Sequence, residues 1–234
     1  MKKEIKIVVF SDTHGFHGLL DLPSDGIDMA IFAGDAGTHK NPYSNINSVL
    51  DFIEWYSKIP IKHKIWIAGN HCTSIEAGLV DARQLSEEKG LIYLEHETKF
   101  VNGIEVFGSP YTPTFYNWAY NVDRDKLREY WNQIPVTTEL LIIHGGPHGV
   151  GNLNKTLEGE DVGCIELETF LILKDGLPKL KMFIQGHIHE GYGYEKIGDK
   201  LLINASVLNR DYKLVNKPFI ITMDSLTKKI ISIE

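Results

Sequence analysis

The chain has 234 residues, of which 43% are hydrophobic, 24% charged and 10% aromatic, a composition that excludes disorder, collagen and coiled coil. Its 24 basic and 31 acidic side chains give a formal charge of −7, so duplex nucleic acid, which needs a basic face to displace counterions, is not expected as a partner. Cys72 and Cys164 lie far apart and outside any C-x-x-C pair, which excludes a disulfide framework and fits a reducing compartment.

At the start, residues 1–6 are basic, but the apolar run from Ile7 to Phe10 is too short for a signal-peptide core. No stretch approaches the ~20 apolar residues of a membrane span. A cytoplasmic protein with no membrane partner is expected, and the absence of repeats or linkers points to one domain over residues 1–234. Short apolar runs at 5–10, 29–33 and 65–68 predict buried strands. A stripe of Ile46, Val49, Leu50, Ile53 and Tyr56, stopped by Pro60, predicts a helix over 46–59. Thr73 and Glu76 have capping-box spacing ahead of a second helix that reaches Gly90. Further helices are expected at 123–131 and 163–174, and hairpins around Asn102-Gly103, around Gly198-Asp199 and over 218–233.

Five apolar runs finish in metal-ligand residue types. Residues 5–10 lead into Asp12-Thr13-His14, 29–33 into Gly34-Asp35 and 65–68 into Gly69-Asn70-His71. Residues 140–143 lead into His144, and 182–184 into Gly186-His187-Ile188-His189. Ligands of open α/β sheets bind beyond the carboxyl ends of strands, so these loops are expected to converge on one crevice. Each piece alone has an ordinary explanation as a cap, a turn or a satisfied polar residue. Their conjunction, each directly after a buried-strand pattern, does not. Carboxylate, amide and imidazole donors together suit Mn²⁺, Fe²⁺, Co²⁺, Ni²⁺ or Zn²⁺, with Mn²⁺ or Fe²⁺ foremost, rather than all-oxygen shells.

In order and type these motifs resemble those of the calcineurin-like metallophosphoesterases. Ser11-Asp12-Thr13-His14, residues 67–71, Val162-Gly163-Cys164, residues 186–193 and Ile203-Asn204-Ala205-Ser206 resemble the subgroup of class III cyclic-nucleotide phosphodiesterases and brain metallophosphoesterase-domain proteins. The resemblance implies an α/β fold, a β-sandwich of two mixed sheets flanked by helices. It also implies two divalent metal ions, one held by Asp12, His14, Asp35 and His189, the other by Asp35, Asn70, His144 and His187. Some of the brain subgroup carry Gly where this chain has His187, so its second metal set is complete. His71 matches the family histidine that acts as general acid, with hydroxide bridging the metals as nucleophile. Where the family usually carries Asp or Glu after Gly-Asn-His, this chain has Cys72, a thiol expected to be a small buried filler that cannot support His71 as a carboxylate does.

Asn70, His71, His148 and Trp118 are the expected substrate contacts, Trp118 from an aromatic loop over 110–120 that either stacks a base or packs on the body. His17, His39, His63 and His96 are expected at the surface. The implied activity is hydrolysis of a small phosphodiester, a 2′,3′- or 3′,5′-cyclic nucleotide foremost, because the motifs contain no arginine to clamp a monoester dianion. The alternatives are a phosphomonoesterase or protein phosphatase, a single-strand nuclease, or a non-catalytic scaffold of the same fold.

Overall fold

The computed structural model describes residues 3–173 and 176–234. In chain order the elements begin with β1 (Glu4–Phe10), β2 (Met29–Phe32), α1 (Pro42–Lys58), β3 (His63–Trp66), α2 (Thr73–Glu76) and α3 (Ala82–Glu88). They continue with β4 (Ile92–Tyr93), β5 (Glu97–Val101), β6 (Ile104–Ser109), β7 (Thr112–Pro113), β8 (Asn121–Val122), α4 (Leu127–Trp131) and β9 (Leu140–Ile143). The last are α5 (Ile165–Glu168), β10 (Met182–Gln185), β11 (Gly193–Ile197), β12 (Lys200–Asn204), β13 (Phe219–Asp224) and β14 (Ile230–Ile233).

Two six-stranded mixed sheets form, in the orders β14-β13-β1-β2-β3-β4 and β11-β12-β10-β9-β6-β5. The first pairs β1 to β4 in parallel and adds β13 and β14 antiparallel. Continuous apolar runs serve both faces of these strands. Ile5, Ile7, Val9, Met29, Ile31, Leu140, Ile142, Met182 and Ile184 fill the layer between the sheets. Val8, Phe10, Ala30, Phe32 and Trp66 face out beneath α1, whose Phe52, Ile53 and Tyr56 cover them. Leu141, Ile143 and Phe183 face the other way beneath Leu127, Trp131 and Leu167 of α4 and α5. This is the expected sandwich flanked by helices.

Local boundaries differ from expectation for identifiable reasons. Helix α1 starts at Pro42 rather than 46, because the Asn41 side chain accepts the N–H groups of Tyr43 and Ser44 while Pro42 needs no donor. The helix expected after Thr73 is broken into α2 and α3, with Gly78 at φ +68 between them, and Cys72 rather than Thr73 occupies the cap position. The 123–131 helix is shorter, beginning at Leu127. That expected over 163–174 is one α turn followed by wider π-type turns at Thr169–Leu173, and its end at Lys174 lies outside the described residues, as do Met1 and Lys2 of the basic start. Strand β3 ends at Trp66, two residues early. All three hairpins form, and Asn102 and Gly103 adopt the positive φ of 51 and 76 that a tight turn demands.

The ends of β1, β2, β3, β9 and β10 are tied together across the sandwich. Ser11 N–H donates to Ala205 O at 2.9 Å and Val207 N–H to Ser11 O at 3.1 Å, which joins the continuation of β1 to that of β12.

Candidate active site

The backbone after each strand turns sharply. Asp12, His14, Asp35 and His187 have φ of 54, 38, 65 and 72, a left-handed conformation that L-residues adopt rarely and at a cost of ~1–3 kcal/mol each. Glycine provides the clearance. A Cβ on Gly69 would lie 2.3 Å from Asp35 Oδ1, and one on Gly186 would lie 2.2 Å from Asp12 Oδ2.

These turns bring together all seven residues expected as metal ligands. Asp12, His14 and His189 place one ligand atom each within 4.8 Å of one another, and Asp35, His144 and His187 do the same. A third such group is His14, Asp35 and His71. Asp35 connects the two ends: its Oδ1 accepts His71 N–H at 2.7 Å, while its Oδ2 lies 3.7 Å from His14 Nε2 and 3.2 Å from His144 Nε2. Asn70 Oδ1, 3.0 Å from His144 Nε2, adds an amide oxygen.

Hydrogen bonds behind the cluster fix which atoms face inward. The Nδ1 atoms of His14, His144 and His189 lie 2.9, 2.8 and 3.0 Å from the carbonyl oxygens of Gly37, Ala33 and Asn209. A carbonyl only accepts, so each Nδ1 carries a proton and each Nε2 is the atom that faces inward, with its lone pair available once the ring is neutral. His14 Nε2 and His189 Nε2 meet 3.3 Å apart. Two lone pairs that close repel unless a cation or a proton lies between them, so this donor set fits a metal ion. Asp12 is oriented likewise. Its Oδ2 accepts Ser11 Oγ at 2.5 Å and Ser206 Oγ at 2.6 Å, and both its oxygens receive His187 N–H, at 3.0 and 3.1 Å.

The electrostatics favour positive charge in the cluster. Burial opposes charge on the rings, but Asp35 beside His144 and Asp12 beside His189 outweigh it and raise both to about 9. Burial wins at His14, which falls to about 4, and at His187, which falls to about 3. Burial would raise the two carboxyls, yet His189 at Asp12 and His144 at Asp35 hold both well below the usual range. His71 is lowered by burial, which Asp35 partly opposes. Its Nδ1 is buried without a hydrogen-bond partner.

A cavity of about 530 Å³ opens in front of the cluster, lined by Asp35, Asn70, His71, His187 and His189 together with Pro113, Phe115, Trp118, Arg124, Val162 and Ile188. Trp118 reaches this wall because Ala119 N–H donates to Asn70 O and Tyr120 N–H donates to Glu76. Glu76 thus anchors the aromatic loop instead of closing a capping box. Within that loop Tyr120 is buried and Tyr111 half-buried, packed on the body, while Phe115 and Tyr116 are exposed. His148 does not line the cavity; its Nδ1 pairs with Glu168 at 3.0 Å, away from the ligands it follows in sequence. His17 is buried against Phe52 and Trp55, and His96 and His63 are half-buried, leaving His39 exposed as expected. Cys72 is fully buried, accepts Gly69 N–H at 3.4 Å through Sγ and is pushed up to about 11 by burial, the filler anticipated for a neutral thiol.

Three features were not anticipated. Asn45 of α1 donates to His71 O at 2.8 Å and accepts from Ser74, fixing the backbone that carries His71. Ser206 stood only within a resembling segment and proves to be a direct partner of Asp12. Arg124, in no motif, lines the cavity.

A sequence model of the calcineurin-like phosphoesterases matches residues 5–215. The chain belongs to that family. Metallophosphoesterase domain-containing protein 1 of Homo sapiens is 34% identical over 241 residues, covering 93% of this chain and 71% of the relative. A UPF0046 protein of Caenorhabditis elegans is 30% identical, covering 92% of this chain and 59% of its own. One crystal structure superposes on 99% of this chain and 98% of its own with a TM-score of 0.71 at 16% identity, which shows the shared fold. Family membership implies metal-dependent phosphoester hydrolysis, and the His and Asp clusters are able to bind divalent metal. Among the described residues no helix is long and apolar enough to cross a membrane.

Proposed function

We propose that the protein hydrolyses small phosphodiesters, with 2′,3′- or 3′,5′-cyclic nucleotides as the leading substrates. The observation that carries this reading is the composition of the cavity wall. A diester has an organic group on each side of phosphorus, and apolar side chains come from separate loops, Pro113, Phe115 and Trp118 from one and Val162 and Ile188 from others. A volume of about 530 Å³ suits a nucleotide-sized molecule rather than a polymer or a protein surface.

In this reading Asp12, His14, Asp35 and His189 hold one divalent ion and Asp35, Asn70, His144 and His187 the other, with Mn²⁺ or Fe²⁺ preferred by the mixed donors. Bound there, the ions supply Lewis acidity and activate water for attack on phosphorus. Asp35 keeps the two ligand sets in register through one carboxylate. Asn70 and His71 face the ester from the cavity wall, and His71 serves as the proton donor to the leaving oxygen. The carbonyls of Gly37, Ala33 and Asn209 keep three imidazoles in the tautomer that presents Nε2. Trp118 turns its face to His71 rather than to a base, which leaves exposed Phe115 as the ring for stacking.

Arg124 favours a second reading. The motifs contain no arginine to clamp a monoester dianion, but the cavity does contain one. A phosphomonoesterase would set that guanidinium on the dianion. Rates with bis-p-nitrophenyl phosphate and p-nitrophenyl phosphate under several divalent metals separate the two. The diester reading requires the first to be the better substrate, and a tenfold advantage for the monoester overturns it.

A further inference from the structure

Arg83, Arg128 and Arg210 each form an ion pair, with Glu97, Glu166 and Glu158. Arg124 is the fourth arginine of the chain and behaves differently. It lines the cavity beside the candidate ligands, and the hydrogen bond it makes runs from Nη1 to the carbonyl of Gly163 at 3.3 Å. A guanidinium has five N–H donors in a fixed fork, so that bond orients the group and leaves most of its donors for a ligand.

The orientation is built in from both sides. Arg124 is separated by one residue from the end of β8, which pairs with β7, and that neighbour, Asp123, accepts from Thr114 and Lys126. The Gly163 carbonyl belongs to a segment stitched to the loop behind His144. Cys164 N–H donates to Gly146 O, His148 N–H donates to Cys164 O, and Asp161 accepts the N–H groups of both Gly149 and Gly163. The packing is so close that a Cβ on Gly163 would lie 2.6 Å from His148 N and Pro147 O. The Val162-Gly163-Cys164 segment is therefore fixed relative to the ligand loop and gives the exposed Arg124 side chain an anchor there.

Taking the diester reading as its basis, we infer that Arg124 is a specificity residue that binds a second, non-reacting phosphate on the substrate. The reacting phosphoryl group is served by the ligand clusters. Arg124 enters the cavity from the turn between β8 and α4, a segment that carries none of the residues expected as ligands. Glu160 lines the same wall, so an anion is favoured only against the guanidinium itself. The substrate class is then a small phosphodiester, cyclic or linear, whose organic part bears a terminal phosphate.

The test compares kcat/KM for bis-p-nitrophenyl phosphate, a 2′,3′-cyclic nucleotide and the same cyclic nucleotide bearing a 5′-phosphate, in wild type, Arg124→Lys and Arg124→Gln, each with its melting temperature recorded. The 5′-phosphate should raise wild-type kcat/KM about tenfold or more, the value of one charge-assisted hydrogen bond. Arg124→Gln should bring that ratio near one. Arg124→Lys, which keeps the charge and loses the fork, should fall between, and it carries the test alone if Arg124→Gln fails to fold. No advantage from the 5′-phosphate in wild type overturns the assignment. So does an Arg124→Gln loss as large with bis-p-nitrophenyl phosphate as with the phosphorylated nucleotide, because that places Arg124 on the reacting phosphoryl. Hydrolysis of p-nitrophenyl phosphate but of no diester overturns instead the reading beneath it, a separate and recognisable outcome.

Discussion

Trp118 lies flat on His71, with ring centroids 3.9 Å apart and planes inclined by 25°. His71 has no carboxylate behind it, since Cys72 follows it and turns its thiol to the Gly69 N–H. The indole face and the His14 ring, edge-on at 4.6 Å, thus hold the imidazole plane, and the indole is fixed in turn through Ala119 N–H on Asn70 O.

It follows that Trp118→Ala should lower kcat for an aryl diester and for a cyclic nucleotide together, by ~10- to 100-fold, as expected for a misplaced catalytic group. Trp118→Phe should restore most of the loss. Steady-state kinetics on both substrates check this. A loss confined to the nucleotide would return the indole to the role of a base-stacking platform.

The place of Asp35 between the two ligand sets makes a prediction about metal content. Its Oδ2 approaches both His14 and His144, whereas Asp12 belongs to one set. Chelation should abolish hydrolysis and Mn²⁺ should restore it. After equilibration with limiting Mn²⁺, elemental analysis should find less bound metal in Asp35→Asn than in Asp12→Asn. Equal retention by the two variants would contradict the shared role of Asp35.

His17 provides a pH-dependent contribution to stability away from the ligands. It lies buried against Phe52 and Trp55, with Asp51 accepting at 2.9 Å from the exposed side. Burial lowers its pKa below 6.5, and Asp51 only partly opposes that shift. The folded state thus prefers the neutral ring. Between the lowered folded value and 6.5 the unfolded chain binds more protons, so stability is present above 6.5 and is lost as pH falls through that window. His17→Gln should flatten the fall of melting temperature between pH 7 and pH 5 relative to wild type. Asp51→Asn should steepen it by removing the group that opposes the shift. Parallel curves for all three proteins would show that His17 does not titrate on unfolding.

Much of the site was legible because of how the strands are buried. Runs such as Ile5 to Phe10 are apolar on both faces, so a polar residue at their ends stands out, and the types found there are those that bind metal. What escaped notice depends on contacts between distant segments. Arg124 sits in a polar loop with no motif, and its meaning comes from the carbonyl of Gly163. His148 has the right neighbours in sequence, but the chain turns it toward Glu168. Burial of His17 depends on aromatic residues of α1, which no local pattern around His17 announces. The early start of α1 was readable in Asn41-Pro42, a cap residue followed by proline at the first helical position, and the hydrophobic stripe from Ile46 concealed it.

Ser206 lets the first metal set be tested separately from the second. Asp12 Oδ2 accepts hydroxyls from Ser11 and Ser206, which directs Oδ1 toward His189 Nε2 at 3.6 Å. Ser206 comes from the segment after β12, held by Ser206 N–H on Asn204 Oδ1 and by Val207 N–H on Ser11 O, so the partner of Asp12 is delivered by the other sheet. Removing the Ser206 hydroxyl lets the carboxylate rotate and exposes Oδ2 as a competing ligand atom. Loss of such outer contacts weakens metal binding ~10- to 100-fold. Ser206→Ala should therefore weaken one of two Mn²⁺ binding steps in a calorimetric titration more than the other, because the second set touches Asp12 only through the backbone N–H of His187. Ser206→Thr, which keeps the hydroxyl, should behave as wild type. If both steps weaken together, the two ligand sets are coupled through Asp12 as well as Asp35; if neither does, the hydroxyl has no part in orienting the carboxylate.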